Sequence, residues 1–264
     1  MSQVDYELSG GLAIISLSTD RTGALNPDTY ADLEKAVLRS SRDGARAVLL
    51  RTRGKVFASG FDISVFKGMS TEQAQALFTD LLRAVQALEG LTVPVIAAVH
   101  GQCMGGGLEL ALACDLIVAR EDTMFGQIEV RVGGTTFMGG VYRLAERCGS
   151  ARALEIAMTG DLYTADKFEQ WNIVQSVQSA DDFADYALAI ANKIANGPTA
   201  AHVVTKQLSR SAGAKRLQEL DALLLKIAPD LLETQDMQSA VDMIMSIGPR
   251  KFMSDPSVVV FDGK

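Results

Sequence analysis

The sequence predicts an α/β fold with a largely parallel sheet, followed by a helical C-terminal region. Three observations predict it. Strand and helix signals alternate through the first hundred residues. Of the 264 residues, 48% are apolar, enough to bury one large core. Beyond Gly139 strand signals become rare and helical periodicity dominates.

The elements follow in order. The apolar run Leu12 to Leu17, after Gly10-Gly11, reads as a strand that follows a hairpin turn. Asn26-Pro27 opens a helix, since Asn caps well and Pro suits the first helical position. Tyr30, Leu33, Val37 and Leu38 form its expected buried face. Ala47 to Leu50 is a second strand. A loop with Gly54 and Gly60 spans Thr52 to Asp62, and a helix runs from about Thr71 to Leu88. Pro94 opens the strand Val95 to Val99, a glycine-rich turn and short helix follow, and Leu116 to Ala119 is the next strand. Ile173 to Val177 is the late strand signal. Asn196-Gly197-Pro198 is a strong break, with helices expected beyond it near Thr199–Ser211, Lys215–Ile227 and Thr234–Ile247.

Composition excludes several function classes. Lys and Arg total 25 against 32 Asp and Glu, a net charge of −7, with no long basic run. Nucleic acid is therefore not an expected partner. The most apolar stretch, Val93 to Ala119, is interrupted by His100, glycines, Glu109 and Asp115, so it reads as core rather than a membrane span. Residues 1–7 carry neither the charged start nor the apolar run of a secretory signal. Cys103, Cys114 and Cys148 lack metal-type spacing and read as small core residues in a reducing cytoplasm. With only His100 and His202 present, no His-rich metal site is expected.

The segment His100 to Glu109 carries the strongest chemical signal. Gly105, Gly106 and Gly107 lie at a strand-to-helix turn, where uncovered backbone N–H groups suit a phosphate or a reaction oxyanion. A tight turn needing close packing explains the glycines equally well. The spacing does not follow G-x-G-x-x-G, because Leu110 stands where the third glycine belongs, and no P-loop lysine follows. Glu109 lies three residues past Gly106, on the same helix face. In an apolar run it is either a solvated first-turn Glu or a carboxylate with work to do. Glu129, at the end of Phe125-Gly126-Gln127-Ile128-Glu129, is a second candidate for acid/base work. Taken alone it reads as an ordinary loop Glu.

Three segments in order, Val56 to Asp62, Gly105 to Glu109 and Phe125 to Glu129, resemble the crotonase (enoyl-CoA hydratase/isomerase) superfamily. Ala24-Leu25-Asn26, Gly139 to Leu144, Ala153 to Gly160 and Ala165 are similar landmarks, and the likeness runs to Arg250-Lys251-Phe252. The resemblance implies a crotonase-type spiral of ββα repeats over 1–197, with a helical region over 198–264 at the interface of a homotrimer or dimer of trimers. It implies an oxyanion hole from the backbone N–H groups of Phe61 and Gly106, and binding of substrate and coenzyme A by Ala58, Ser59, Gly60, Asp62, Gly105 and Phe137. It further implies a lyase that hydrates 2-enoyl-CoA, with Glu109 and Glu129 as the catalytic acid/base pair. The substrate is an acyl-CoA, so coenzyme A arrives with it and no metal or other cofactor is required. Competing readings are enoyl-CoA isomerase, acyl-CoA hydrolase or decarboxylase chemistry, and a non-catalytic acyl-CoA-binding protein; two retained glutamates speak against the last.

The chain departs from the pattern at several positions. Thr136-Phe137-Met138-Gly139-Gly140 replaces a Pro-Gly-Ala-Gly-Gly turn, so Phe137 either reshapes the acyl pocket or packs elsewhere in the core. Ile128 replaces a frequent proline and Ser64 a frequent lysine. His100 is expected to make a structural hydrogen bond. Lys206 and Lys251 are long enough to reach coenzyme A phosphates, but such side chains usually stay in solvent.

Overall fold

The computed structural model describes residues 3–19, 23–211, 235–247, 251 and 259–262. Its main sheet contains β1 (Val4–Ser9), β2 (Leu12–Leu17), β4 (Ala47–Thr52), β6 (Val95–Val99), β8 (Leu116–Arg120) and β11 (Ser176–Gln178), adjacent in that order. β1 and β2 form an antiparallel hairpin; every later pairing in this sheet is parallel. The parallel strands are apolar on both faces because helices cover both. Ala47, Leu49, Ile96 and Ala98 meet Phe183, Ala187 and Ala191 of a helix at Phe183–Ala195. Val48, Leu50, Val95, Ala97 and Val99 point the other way, into the larger core. The period-2 alternation of strand side chains makes this division.

Two smaller sheets carry the loops of interest. β3 (Ala24–Leu25) pairs with β5 (Gly60–Phe61), and β9 (Met124–Gly126) lies between β7 (Gln102–Met104) and the short β10 (Tyr163–Thr164). A bridge from Ala58 to Cys103 links the two groups.

The helices are α1 (Pro27–Arg42), α2 (Thr71–Glu89), α3 (Gly106–Leu112), α4 (Gly140–Cys148), α5 (Ser150–Thr159), α6 (Ala165–Gln170), α7 (Phe183–Ala195), α8 (Thr199–Ser211) and α9 (Gln235–Ile247). α1 starts at a capping box in which the Asn26 side chain accepts from the Thr29 N–H, with Pro27 following. α2 starts the same way, through Ser70 and Gln73. α8 is tied to the core by charge: Lys206 pairs with Asp115 at 2.7 Å, and Arg210 pairs with the same carboxylate at 2.8 Å.

Two sequence expectations need correction. Leu38 is 44% exposed, because the core-facing stripe of α1 runs through Tyr30, Leu33 and Val37 and the helix turns Leu38 away. The late strand is Ser176–Gln178 rather than Ile173–Val177; Ile173 and Val174 are buried as packing residues before it. The short β10 gave no legible strand signal. The helix expected near Lys215–Ile227 lies outside the described residues.

Candidate active site

The site begins at the turn between β7 and α3. Gly105 has φ +49°, a conformation that favours glycine, and a Cβ there would stand 3.2 Å from the Glu129 Oε1. The backbone thus passes directly under that carboxylate. One turn into α3, Glu109 is 1% exposed. Its Oε1 accepts from the Met138 N–H at 2.9 Å and from the Gly140 N–H at 2.8 Å. Both donors belong to the turn that starts α4, so this turn fixes the rotamer of Glu109. Gly140 has no room for a side chain either: a Cβ would collide with the Gln127 amide and reach Glu109 Cγ at 3.0 Å.

The same turn is held from behind by Arg143, 5% exposed. It donates to the Met138 carbonyl at 2.7 Å and forms a two-pronged ion pair with Glu89 at 2.6 and 3.0 Å. Arg143 therefore acts on Glu109 through one residue, Met138, whose carbonyl it binds and whose N–H binds Glu109.

Glu129 arrives from the other side, at the start of a 3-10 turn, Glu129–Val132, that follows β9. Both of its carboxylate oxygens are sealed from solvent without a hydrogen-bond partner among the described residues. The Gln127 amide, fully buried, is likewise unpartnered at both ends. Buried polar atoms without partners are costly, and a cluster of them points to contact with a bound molecule.

Electrostatics follow from this enclosure. Burial first, then repulsion from Glu129, push the Glu109 carboxyl from 4.5 up to about 7. The Gly140 and Met138 N–H groups and the Arg143 charge pull the other way. Burial raises Glu129 to about 7 as well. Its own backbone N–H opposes the rise, without the geometry of a hydrogen bond. Two carboxyls this close in value and in space titrate as a pair. Such an arrangement can hold one proton near neutral pH and act as acid and base together.

The remaining sequence-selected residues surround the pair. Ala58 is fully buried, with its N–H donating to Gln102 and its carbonyl accepting from Met104. Ser59 donates to the Gly23 carbonyl and Asp62 to that of Leu25; the Asp62 side chain also caps the Ser64 N–H. These bonds fix the path of Gly60 and Phe61 past the turn at Gly105 and Gly106. A Cβ placed at Gly106 would meet the Tyr30 hydroxyl at 2.8 Å, Met138 Cε at 3.0 Å and Phe61 Cβ at 3.6 Å. Phe61 and Gly106 are therefore neighbours, 45 positions apart in the chain. The first residues of a helix have no intrahelical acceptor for their N–H groups, and Gly106 opens α3.

Other candidates are accounted for elsewhere. His100 Nε2 lies 2.9 Å from the Gly54 carbonyl, a structural bond as expected. Lys206 does not stay in solvent: its side chain is 8% exposed and bound to Asp115 and the Val93 carbonyl, so it is not available to a ligand phosphate. Cys103 and Cys114 are buried and Cys148 is half-buried, all three free. Among the described residues, no group of three or more His, Cys, Asp or Glu is placed to hold a metal, and no helix is long and apolar enough to cross a membrane.

Sequence reasoning missed three residues. Tyr30 was legible only as part of a helix stripe, yet its buried hydroxyl donates to the Gly106 carbonyl at 3.3 Å. Burial, then Glu109 and Glu129, hold that phenol well above its ordinary range. Gln127 stood inside a quoted segment without a role, and Arg143 inside another. No local pattern marks any of them; each is defined by what it touches across the fold.

The chain is also similar to known proteins. Residues 7–253 match the family model described as enoyl-CoA hydratase/isomerase. The chain is 32% identical to a short-chain-enoyl-CoA hydratase of Clostridium acetobutylicum over 80% of this chain and 82% of that one. It is 31% identical to a crotonyl-CoA hydratase of Syntrophomonas wolfei, over 89% of this chain and 83% of that one. An enoyl-CoA hydratase subunit from Geobacillus kaustophilus, known from its crystal structure, superposes with a TM-score of 0.86 at 31% identity, covering 92% and 95% of the two chains.

Proposed function

Because the chain belongs to the enoyl-CoA hydratase/isomerase family, we propose that it adds water across the double bond of trans-2-enoyl-CoA thioesters. The observation that carries the proposal is the enclosed pair Glu109 and Glu129, both raised to about 7. Near neutral pH the pair retains a proton, so one carboxylate serves as base while its neighbour serves as acid.

The mechanism follows from the donor geometry. With Glu109 Oε1 occupied by two backbone N–H groups, Oε2 orients the attacking water and takes its proton. The water oxygen bonds to the β-carbon as the π pair moves toward the thioester carbonyl. The backbone N–H groups of Phe61 and Gly106 stabilise the negative charge that develops on that oxygen. One such donor is worth about 2.7–4 kcal/mol in comparable sites. Glu129, protonated, shares the water and delivers its proton to the α-carbon, which discharges the enolate. The hydroxyl and the hydrogen then arrive on the same face. Glu109 ends protonated and Glu129 ionised, and proton exchange with solvent restores the pair. Ser59, Gly60, Asp62 and Gly105 cradle the thioester and coenzyme A, held in shape by Ala58.

A homotrimer or dimer of trimers belongs to the same proposal, with the described C-terminal helices α8 and α9 at its interface. Exposed apolar side chains beside the Glu129 segment, Val132 at 62%, Leu154 at 45% and Met158 at 68%, support burial against another copy. Light scattering after size exclusion reads this directly.

The test of the activity is loss of the conjugated thioester absorbance of crotonyl-CoA, with the product identified by mass. A water adduct whose formation falls about 10²–10⁴-fold in Glu129→Gln supports the proposal. Normal turnover in that variant removes Glu129 from the reaction. Phe137 in the turn after Glu129 favours one second reading, double-bond isomerisation or other enolate chemistry, which conversion of a 3-enoyl thioester without hydration would reveal.

A further inference from the structure

Beyond the carboxylate pair runs a chain of aromatic rings that the reaction itself does not use. Tyr30 and Phe61 lie 6.0 Å apart, Phe61 stacks on Phe66 at 5.4 Å, and Phe66 stands edge-on to both Phe78 and Phe137 at 5.9 Å. The last two rings stack at 4.3 Å with their planes 9° apart. The rings come from four separate segments: α1, the strip from Phe61 through the 3-10 turn Ile63–Phe66, α2, and the turn before α4.

We infer that the stacked pair Phe78–Phe137 is the end wall of the acyl compartment and restricts this site to short-chain acyl thioesters. The inference rests on the hydratase reading for what occupies the site, and on the geometry for where the wall stands.

Phe137 is joined to the carboxylates on two sides. Its neighbour Met138 donates to Glu109, and its ring packs on Gly134, where a Cβ would meet it at 3.3 Å. The Gly134 N–H in turn donates to the Glu129 carbonyl at 2.9 Å. Phe137 therefore hangs from the turn that fixes one glutamate and rests on the segment that carries the other. Its stacking partner Phe78, on α2, is half-buried and packs against the main core. Past the pair lies an apolar surface groove of about 440 Å³, lined by Ala74, Gln75, Thr79 and Leu82 together with Phe78 and Phe137. The pair thus borders the groove through both rings and adjoins the carboxylate segments through Phe137.

The spacing closes the passage. A methylene chain threading between two rings needs them about 7–8 Å apart, twice the optimal carbon–carbon contact. At 4.3 Å the rings admit nothing. Phe66, edge-on to both, blocks their sliding. On this inference a crotonyl group ends before the wall, whereas a decenoyl group meets it.

The experiment compares crotonyl-CoA with trans-2-decenoyl-CoA as substrates, and butyryl-CoA with decanoyl-CoA as unreactive ligands, in wild type, Phe137→Ala, Phe137→Leu and Phe78→Leu. The expected wild-type preference for crotonyl-CoA is tenfold or more in kcat/KM, and Phe137→Ala raises the decenoyl-to-crotonyl ratio at least tenfold. The leucine variants keep an apolar side chain at each position and give intermediate ratios should the alanine variant fold poorly. Equal kcat/KM for both lengths in wild type, or an unchanged ratio in folded variants, overturns the wall. Absence of turnover with preserved length selection in binding overturns the hydratase reading and leaves the wall standing. Equal binding of both saturated esters, or binding of neither, overturns the wall.

Discussion

Replacing Glu109 by Gln separates what the carboxylate does for the reaction from what it does to the fold. The side chain is isosteric, and its amide oxygen can keep both bonds from Met138 and Gly140. What disappears is the ionisable group that burial and Glu129 raise from 4.5 to about 7. For an acid whose folded pKa lies above its unfolded value, the folded state binds more protons between the two, so its contribution to stability falls as pH rises through that window. The cost is absent below about 4.5, grows between 4.5 and 7, and is complete above 7. At 1.36 kcal/mol per pH unit it reaches about 3 kcal/mol at pH 8 and stays below about 1 kcal/mol at pH 5. Glu109→Gln is therefore expected to be the more stable protein at pH 8, by about 6–12 °C in Tm for a chain of this size, with most of the difference gone at pH 5. Hydration of crotonyl-CoA is expected to fall about 10²–10⁴-fold in the same variant. Calorimetry at the two pH values and a rate assay decide the matter. A variant equally or less stable than wild type at pH 8 would refute the reasoning, because the carboxylate would then not be paying a burial cost.

Further expectations concern the same assembly. With both carboxyls near 7, kcat/KM for hydration is expected to be bell-shaped about neutral pH, falling on the acid side as the base is protonated and on the alkaline side as the acid ionises; a flat profile from pH 5 to pH 9 would exclude the pair as acid and base. Arg143→Met removes a charge that lowers Glu109, so the acid limb is expected to move to higher pH, with kcat reduced about tenfold or more by loss of turn geometry. Arg143→Lys restores the charge without the fork that holds both Glu89 and Met138, and is expected to restore the limb better than the rate. An unmoved limb in Arg143→Met would make its role structural alone. Gly105→Ala places a side chain at φ +49° and 3.2 Å from Glu129 Oε1; a stability loss of about 1–2 kcal/mol by denaturant unfolding and a disproportionate loss of kcat are expected.

Much of the architecture is carried by local signals. Asn26-Pro27 determined where α1 starts, because a cap and a fixed φ act on their own few residues. The apolar runs at Leu12, Ala47, Val95 and Leu116 determined the strands, since burial on both faces of a parallel sheet leaves no place for polar alternation. The glycines at 105–107 and the glutamates at 109 and 129 were legible as an ordered pattern. Helical period alone could not separate Leu38, which faces out, from Val37, which faces in. Nor could composition tell that Lys206 is spent on Asp115, 91 positions away. The raised pKa values of Glu109 and Glu129 belong wholly to tertiary structure. Glu109 owes its rotamer to N–H groups 29 and 31 residues later, and its raised pKa to enclosure and to Glu129. The ring cluster likewise joins Phe66, Phe78 and Phe137 from three segments. Sequence determined which groups are present and which elements carry them. Only the folded packing decided their solvation and their separation, because both depend on atoms that meet across the chain rather than along it.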